Sequence, residues 1–247
     1  EPGLTPLAIE VHGELLAACP VRDKLGSNAD QADAPGEKAE FVLDCVMVEP
    51  NEWWIGYHRV KSFASQWPGG LLPLVLPEDA ASRAWLKYEE GLLWSKLPIE
   101  KGTRCADIGS APGGGSQTLL ARGCEVIGID PADMAPQVKA HPLFRHMRKR
   151  AAEVRRRDLR HIRWIAADMN VAPVYTLEVL ESIVLHPEVR VRGLLFTLKL
   201  FEWKLAEELP EYLERVRSWG FNKVQARQLQ FNRQEVMVAA LQSPFRK

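Results

Sequence analysis

A glycine-rich loop, DIGSAPGGGSQ at residues 107–117, is the stretch of this 247-residue chain best suited to holding a small ligand. It stands between an apolar run and a helical run, which is the pattern of a turn from a strand into a helix. Gly109 allows a tight turn, and Gly113 and Gly114 allow a ligand to approach the main chain closely. The residues predicted to contact a ligand here are Asp107, Gly109, Ser110, Ala111, Pro112, Gly113 and Gly114.

The loop fits neither of the two common nucleotide motifs. Ala111 stands where a dinucleotide fingerprint needs its second glycine, and no lysine follows the glycines as a phosphate loop requires. Asp130 ends the next apolar run, where a carboxylate can accept hydrogen bonds from both hydroxyls of a ribose. The pattern therefore favours an adenosine ligand without a pyrophosphate, and S-adenosylmethionine is the expected cofactor. The alternative is a structural turn that binds no ligand.

The elements that position this loop alternate between helix and strand from Ser82 onwards. Such alternation predicts a parallel sheet with helices on both faces. The last two strands, in KVQARQLQF and QEVMVAAL, are too close for a crossover helix and must pair antiparallel. The expected fold class is therefore α/β, with the Rossmann-like sheet of class I methyltransferases ending in an antiparallel hairpin.

A small α+β module is expected before this domain. PLAIEVHGELLAAC has helical spacing, and FVLDCVMV and EWWIGYHRV read as two strands of a hairpin. The proline-rich stretch WPGGLLPLVLPEDA cannot be helical, so the domain boundary is placed there. The sequence thus predicts a module at residues 1–75 and a cofactor-binding domain at residues 76–247.

The composition is that of a globular protein, with 46% hydrophobic residues and a net charge of zero. No apolar run reaches 18 residues and no signal-peptide pattern opens the chain, so a cytoplasmic protein without membrane contact is expected. The four cysteines lack zinc-site spacing, which predicts reduced thiols and no metal site. The segment Arg145–Arg163, expected to be mostly helical, is strongly basic; it is either a solvated helix face or a contact for RNA phosphates.

Several motifs resemble, in the same order, those of the FtsJ-like ribose 2′-O-methyltransferases. They are ASRAWLKYEE, DIGSAPGGGSQTLLARG, VIGID, IAADMN, FTLKLF and NRQEVMVAA, and the resemblance covers about residues 68–243. EFVLDCVMVEPNEWWIGYHRV is similar to the end of a THUMP RNA-binding module, so residues 1–75 are expected to be a short piece of that kind. The resemblance implies an enzyme that methylates RNA, with large-subunit rRNA as the expected partner.

The resemblance also implies a tetrad of Lys87, Asp168, Lys199 and Glu235, and it adds Ser82 and Asp168 to the cofactor contacts. Lys199 is expected to be the general base that takes the proton of the ribose 2′-hydroxyl, with the other three as orienting and electrostatic groups. Lys199 lies in an apolar run, where an unpaired ammonium is costly. A lysine acts as a base only when neutral, so its pKa must be lowered by burial or by the second ammonium of Lys87.

Two departures from the family pattern stand out. The family usually has an aromatic residue after the glycine pair, and this chain has Gly115. The family also has an acidic residue after the third strand, near the adenine, where this chain has only Glu153 as a poor match. A non-catalytic RNA-binding protein that retains the fold is therefore an alternative, as is a small-molecule methyltransferase or a nicotinamide-dependent oxidoreductase.

The residue types near the fourth strand separate the possible methyl acceptors. Methylation of base amino groups usually needs a Pro-Pro-aromatic turn there, and this chain has ADMN. Methylation of pyrimidine carbon 5 needs a nearby cysteine, and none of the four is there. Both observations favour the ribose hydroxyl. Trp53, Trp54 and Trp67 are candidates for stacking on bases, and the adjacent pair is expected to put one ring in the core and one outside.

Overall fold

The computed structural model describes residues 5–26, 29, 35–37, 40–62 and 65–242. The chain divides into two compact units, residues 1–74 and residues 75–247. This division falls within the proline-rich stretch of the sequence. Each unit is described by itself below.

The first unit contains one helix and one hairpin. Helix α1 spans Pro6–Ala18, and the Thr5 hydroxyl caps it by accepting a hydrogen bond from the Ala8 amide at 3.1 Å. Strands β1 (Phe41–Glu49) and β2 (Glu52–Arg59) pair antiparallel, with Phe41 opposite Arg59. The helix and the hairpin expected from the sequence are both present, whereas the THUMP-like character of the unit stays a prediction.

The tryptophans of this unit do not lie as expected. Trp53 and Trp54 are both exposed, at 41% and 63%, while Trp67 is buried. The expectation that one ring of the adjacent pair lies in the core is wrong. Alternation of side chains places one ring on each face of a strand, but a two-stranded hairpin offers too little cover for either face at its turn. The burial of Trp67 leaves Trp53 and Trp54 as the candidates for stacking.

The second unit is built on a seven-stranded sheet in the order β5-β4-β3-β6-β7-β9-β8. β3 to β7 run parallel, and β9 is antiparallel to both of its neighbours. This confirms the expected fold class. The strands are β3 (Arg104–Ile108), β4 (Glu125–Ile129), β5 (Phe144–Met147), β6 (Trp164–Ala167), β7 (Gly193–Lys199), β8 (Lys223–Arg227) and β9 (Glu235–Leu241).

Helices cover both faces of this sheet, and two apolar clusters fill the space beneath them. One cluster includes Ile165, Phe196 and residues of α5 and α7, and the other includes Leu195, Met237 and residues of α2 and α3. All seven residues of β7 are buried, as expected for a central strand covered on both faces. The helices are α2 (Ala84–Ser95), α3 (Gly114–Ala121), α4 (Pro136–Lys139), α5 (Pro173–Val184), α6 (Trp203–Glu207) and α7 (Leu209–Ser218).

The basic segment is not mostly helical, so that prediction is wrong. It begins within β5 and continues through two short 3-10 turns, Ala151–Glu153 and Arg156–Leu159. Pairing of Phe144 with Val126 adds the segment to the sheet edge, and this tertiary contact overrides the local preference for helix. The segment leaves the sheet at the end of β5 and returns to it at the start of β6, so its basic residues next to these two strands lie at opposite edges of the sheet.

The described part of the chain contains no helix that is both long and apolar enough to cross a membrane. Within the same residues, no group of three or more His, Cys, Asp or Glu side chains could hold a metal ion. Cys19, Cys45, Cys105 and Cys124 are free thiols.

Candidate active site

The four residues of the expected tetrad come together at one edge of the sheet. We call this the carboxyl edge, because β3 to β7 end there. Asp168 directly follows β6, Lys199 is the last residue of β7, and Glu235 begins β9 directly opposite Lys199. Lys87 reaches the same point from α2, which packs on β9.

The four side chains form a closed ring of alternating charge. The Lys199 ammonium contacts Asp168 Oδ1 at 2.7 Å and also contacts Glu235 Oε2. The Lys87 ammonium contacts Glu235 Oε1 at 3.0 Å and also contacts Asp168 Oδ2. Each carboxylate therefore gives one oxygen to each lysine. The side chains are between 5% and 16% exposed, so the ring is largely removed from water, and Lys87 is its most exposed member.

The ring determines the protonation of Asp168 and Lys199. Burial alone raises the pKa of Asp168, but the Lys87 and Lys199 ammonium groups outweigh it and lower that pKa to about 2. Burial lowers the pKa of Lys199, yet Asp168 and Glu235 outweigh it, so the net direction is upward. This direction is opposite to the lowering that a neutral lysine base requires. The ring as it stands favours an ammonium at Lys199.

Glu90, the last residue of the motif ASRAWLKYEE, has a structural role beside the ring that the sequence did not predict. Its two carboxylate oxygens accept the backbone N–H groups of Gln230 (2.8 Å) and Phe231 (3.0 Å), which fixes the turn between β8 and β9. That turn leads into Glu235, so Glu90 acts as a positioning residue for the ring. Its spacing of three residues from Lys87 puts both on one face of α2, and this spacing was the available signal.

Asp107 lies beneath the glycine loop rather than on its open side. The carboxylate is 1% exposed and accepts hydrogen bonds from the Tyr88 hydroxyl at 2.8 Å and the Ser116 hydroxyl at 2.6 Å. Burial raises its pKa to about 7, although both hydroxyl groups oppose that shift. Direct contact of Asp107 with a cofactor stays a prediction, and the contacts that the structure gives it are internal.

Tyr88 also accounts for Gly115. A Cβ atom built on Gly115 would lie 2.6 Å from Cζ of the Tyr88 ring, a distance that no side chain can tolerate. The ring of Tyr88, which enters from α2, therefore fills the space beside the position where the family usually has an aromatic residue. The aromatic group comes from another element, and Gly115 is the residue that leaves room for it.

The glycines of the loop are required by close contacts. Gly109 has φ +74°, and a Cβ there would lie 2.9 Å from the carbonyl oxygen of Asp168. A Cβ on Gly114 would lie 2.5 Å from Ser82 Oγ, so Ser82 packs directly on the loop. The loop is thereby held between the end of β6 and the start of α2.

Asp130 is the carboxylate on the open side of the loop. It follows β4 and is half-buried; Oδ2 accepts the Ala111 amide at 3.2 Å and Oδ1 accepts the Ala132 amide at 2.8 Å. Each oxygen has a second lone pair, so the carboxylate can also accept two ribose hydroxyls. Of the remaining loop candidates, Ser110 is buried and Pro112 is exposed.

The strand next to β4 ends in basic residues. β5 ends at Met147, and the exposed Arg148, Lys149 and Arg150 follow it. Glu153 does not replace the missing acid, because its carboxylate accepts the Arg150 amide at 3.1 Å and closes a 3-10 turn. The region that would flank an adenine therefore carries positive charge.

The sheet order, the glycine loop and the acid after β4 define the class of protein as class I methyltransferase. Solved structures show the same fold. A hemolysin described as putative, from Lactococcus lactis, aligns with a TM-score of 0.55 and 18% identity, covering 68% of this chain and 90% of its own. Fibrillarin, a pre-rRNA processing protein of Methanococcus jannaschii, aligns with a TM-score of 0.50 and 14% identity, covering 64% and 76%.

The chain belongs to the FtsJ-like methyltransferase family, whose model matches residues 80–235. Among its relatives is ribosomal RNA large subunit methyltransferase M of Laribacter hongkongensis, which is 32% identical over 71% of this chain and 52% of the relative. The protein of the same name in Haemophilus influenzae is 26% identical over 89% of this chain and 62% of the relative. The chain thus spans about half to two thirds of the length of these relatives.

Proposed function

We propose that this protein is an S-adenosylmethionine-dependent RNA ribose 2′-O-methyltransferase that acts on large-subunit rRNA. The observation that carries the proposal is the closed ring of Lys87, Asp168, Lys199 and Glu235 beside the glycine loop. Membership of the FtsJ-like family and the rRNA methyltransferase names of the relatives support it.

The residues at the carboxyl edge fit the proposed cofactor in part. S-adenosylmethionine supplies a methyl group that its sulfonium charge has already activated. Asp130 would accept the ribose hydroxyls, and the backbone from Gly109 to Gly114, with Ser82 packed on it, would lie against the cofactor. Asp107 would act from beneath by fixing the loop through Ser116. Basic residues, rather than an acidic side chain, directly follow β5, so recognition of the adenine would depend on main-chain groups.

The ring would align the acceptor and take its proton. The proton of the ribose 2′-hydroxyl would move to Nζ of Lys199 in its neutral form, while Asp168 and Glu235 hold both lysines in place. Alignment of oxygen and methyl group contributes several kcal/mol. Because the pKa of Lys199 is raised, the neutral amine is a minor species at neutral pH, and the rate should increase with pH.

Methyl transfer from labelled S-adenosylmethionine to bulk bacterial rRNA that lacks its native modifications tests the proposal. Nucleosides from the digested product are identified by mass spectrometry. The wild type should form a 2′-O-methylnucleoside, and Lys199→Ala should lower kcat by about 10²–10⁴-fold. Lys139→Ala removes an exposed lysine and is the matched control with unchanged activity.

A folding check accompanies this assay. S-adenosylhomocysteine should raise the melting temperature of the wild type and of Lys199→Ala alike, because Lys199 is not among the expected cofactor contacts. A base-methylated product, or wild-type activity in a stably folded Lys199→Ala protein, would contradict the proposed reaction.

A non-catalytic RNA-binding protein is the second candidate. The raised pKa of Lys199 and the basic residues after β5 favour it. It predicts that RNA binds and that no methyl transfer occurs on any rRNA, even where S-adenosylhomocysteine stabilises the fold. Stabilisation by NAD instead of S-adenosylhomocysteine would point to an oxidoreductase. Whether the protein is the methyltransferase or the non-catalytic RNA-binding protein, one part of the basic segment would contact RNA phosphates at the carboxyl edge. That part is Arg148, Lys149 and Arg150.

A further inference from the structure

Arginines gather at the opposite edge of the sheet, where β3, β6 and β7 begin. We call this the amino edge. Arg104 starts β3, and Arg163 and Arg192 directly precede β6 and β7. The Arg163 amide donates to the Arg104 carbonyl (2.9 Å) and the Arg192 amide donates to the Arg163 carbonyl (2.7 Å). The three arginines therefore occupy one row across neighbouring strands, spaced by about 4.8 Å at the backbone.

A groove runs along part of this row. It is lined by Gly102, Thr103, Arg104, Glu125, Arg160, His161 and Arg163. Arg104 is paired with Glu125 at 2.7 Å. In the part of the chain that the structure describes, neither Arg160 nor Arg163 has a carboxylate within 4.0 Å; their guanidinium groups contact the His161 ring and the Arg190 carbonyl instead.

The surroundings add more positive than negative charge. Arg190 is exposed beside the row, and the Arg192 guanidinium lies 5.9 Å from the centre of the Trp164 ring. The acids near this edge include Glu125, which is paired with Arg104, and the exposed Glu100 and Glu188, while the exposed Lys101 adds a further cation. Like charges on neighbouring strands repel one another, so the placement of three arginines at adjacent positions is not explained by folding stability alone.

We propose that this arginine edge, formed by Arg104, Arg160, Arg163, Arg190 and Arg192, binds the phosphodiester backbone of RNA. Guanidinium groups suit phosphate because they donate two parallel hydrogen bonds to its oxygens and stay charged. A row of them suits a ligand whose anionic groups repeat. The inference rests on the proposed function in that the RNA bound here is the substrate of the ring.

The position of the edge defines what it can do. β7 has seven residues, so the two edges lie about 20 Å apart. The arginine edge therefore holds a part of the RNA distant from the methylated nucleotide. Its loss should weaken binding and raise KM for RNA, and should leave kcat at saturating RNA unchanged.

The test is the double variant Arg160→Gln with Arg163→Gln, studied in the full chain with unmodified large-subunit rRNA fragments. Fluorescence anisotropy at several NaCl concentrations gives the affinity and its salt dependence. We expect an approximately tenfold weaker Kd near 0.1 M NaCl, and a slope of log K against log salt that is shallower by about 1 to 2, one to two phosphate contacts being lost.

Two controls fix the interpretation. Arg160→Lys with Arg163→Lys keeps both charges, so the salt dependence should stay as in the wild type. Arg155→Gln with Lys139→Gln removes two exposed cations that are already paired with Asp158 and Asp133, and should change the affinity little. Equal losses in this pair and in the arginine-edge variant would overturn the inference, because the effect would then follow total charge rather than place.

Methyl transfer in the same samples separates the inference from the proposed function. If the arginine-edge variant transfers the methyl group with the same KM and Kd for RNA as the wild type, the inference is overturned and the proposed function is not. A weaker Kd without methyl transfer by the wild type overturns the catalytic proposal alone. Poly-L-glutamate that displaces RNA from the wild type but not from the variant, at equal charge concentration, would assign the edge to an acidic protein and overturn the RNA assignment.

Discussion

The two edges of the seven-stranded sheet differ in whether their charged side chains are buried and paired with opposite charges. At the carboxyl edge, two lysines and two carboxylates are largely buried and neutralise one another within hydrogen-bond distance. At the amino edge, Arg160 and Arg163 are exposed and meet rings and carbonyl groups rather than carboxylates among the described residues. The same backbone architecture thus carries a balanced set of charges at one end and an unbalanced set at the other.

The difference follows from the cost of removing a charge from water. A buried ion without a partner costs several kcal/mol, so the carboxyl edge can hold its lysines only with matching carboxylates. An exposed guanidinium stays hydrated, so the amino edge needs no internal partner and keeps its donors for an external one. The buried set is suited to moving a proton at a fixed position, and the exposed set is suited to holding a flexible polyanion.

Removal of a carboxylate from the ring should have the largest effect on stability. Asp168→Ala leaves Lys87 and Lys199 with Glu235 as the remaining carboxylate of the ring, and also removes the acceptor for the Thr197 hydroxyl at 2.7 Å. We expect a loss of about 3–5 kcal/mol in the free energy of unfolding, measured by urea denaturation at neutral pH.

Asp133→Ala is the matched control for that measurement. Asp133 also pairs with two cations, Lys139 and Arg148, but its side chain is 62% exposed. The same substitution should therefore cost far less there. Equal losses at the two positions would mean that burial does not distinguish the ring, and the contrast between the edges would fail.

The pH dependence of stability should separate Asp107 from the ring. The folded-state pKa of Asp107 is about 7 against an ordinary value of 3.8, so the folded state binds the proton more tightly. Stability from this group is complete below about pH 4 and is lost as the pH rises through 7, at no more than about 1.4 kcal/mol per pH unit. Asp168 has the opposite sign, because its pKa of about 2 means that stability is lost as the pH falls below about 4.

Asp107→Asn removes the first of these dependences. Between pH 5 and pH 7.5, the stability of this variant relative to the wild type should increase with pH, as followed by urea denaturation at several pH values. Asp133→Asn, with a lowered pKa at Asp133, should show no such trend in this range. A wild type whose stability is flat from pH 5 to pH 7.5 would contradict the raised pKa of Asp107.

The architecture of the second unit could be predicted from the sequence because the patterns that indicate it are local and repeated. Alternating apolar runs, the glycine loop and the short spacing of the last two strands predict the sheet that is observed. β5 was missed because FRHM has only four residues and leads into the basic segment, and its pairing with β4 depends on tertiary contact. The break between α6 and α7 does have a local signal, because Pro210, which lacks an amide hydrogen, lies in the first turn of α7.

The site shows the same division between local and distant signals. The resemblance supplied Lys87, Asp168, Lys199 and Glu235, and the sheet brings all four together. Contacts between distant residues were invisible in the sequence, such as the Glu90 carboxylate on the Gln230 amide or the Tyr88 ring beside Gly115. The direction in which the pKa of Lys199 is shifted could not be predicted from the sequence either. It depends on whether burial or the two neighbouring carboxylates have the larger effect.

The smallest effect on stability is expected at the amino edge. Arg160→Gln with Arg163→Gln removes two exposed cations from a region of like charge, and water can replace Arg163 at the Arg190 carbonyl. The free energy of unfolding should change by no more than about 0.5 kcal/mol per site. Urea denaturation at low and high salt measures this change. Glu125→Gln is the opposing control. It should destabilise the protein at low salt and not at high salt, because Arg104 loses a partner whose attraction salt would screen. A loss for the arginine pair as large as that of Asp168→Ala would make the arginines structural, and the two edges would then hold their charges for the same reason.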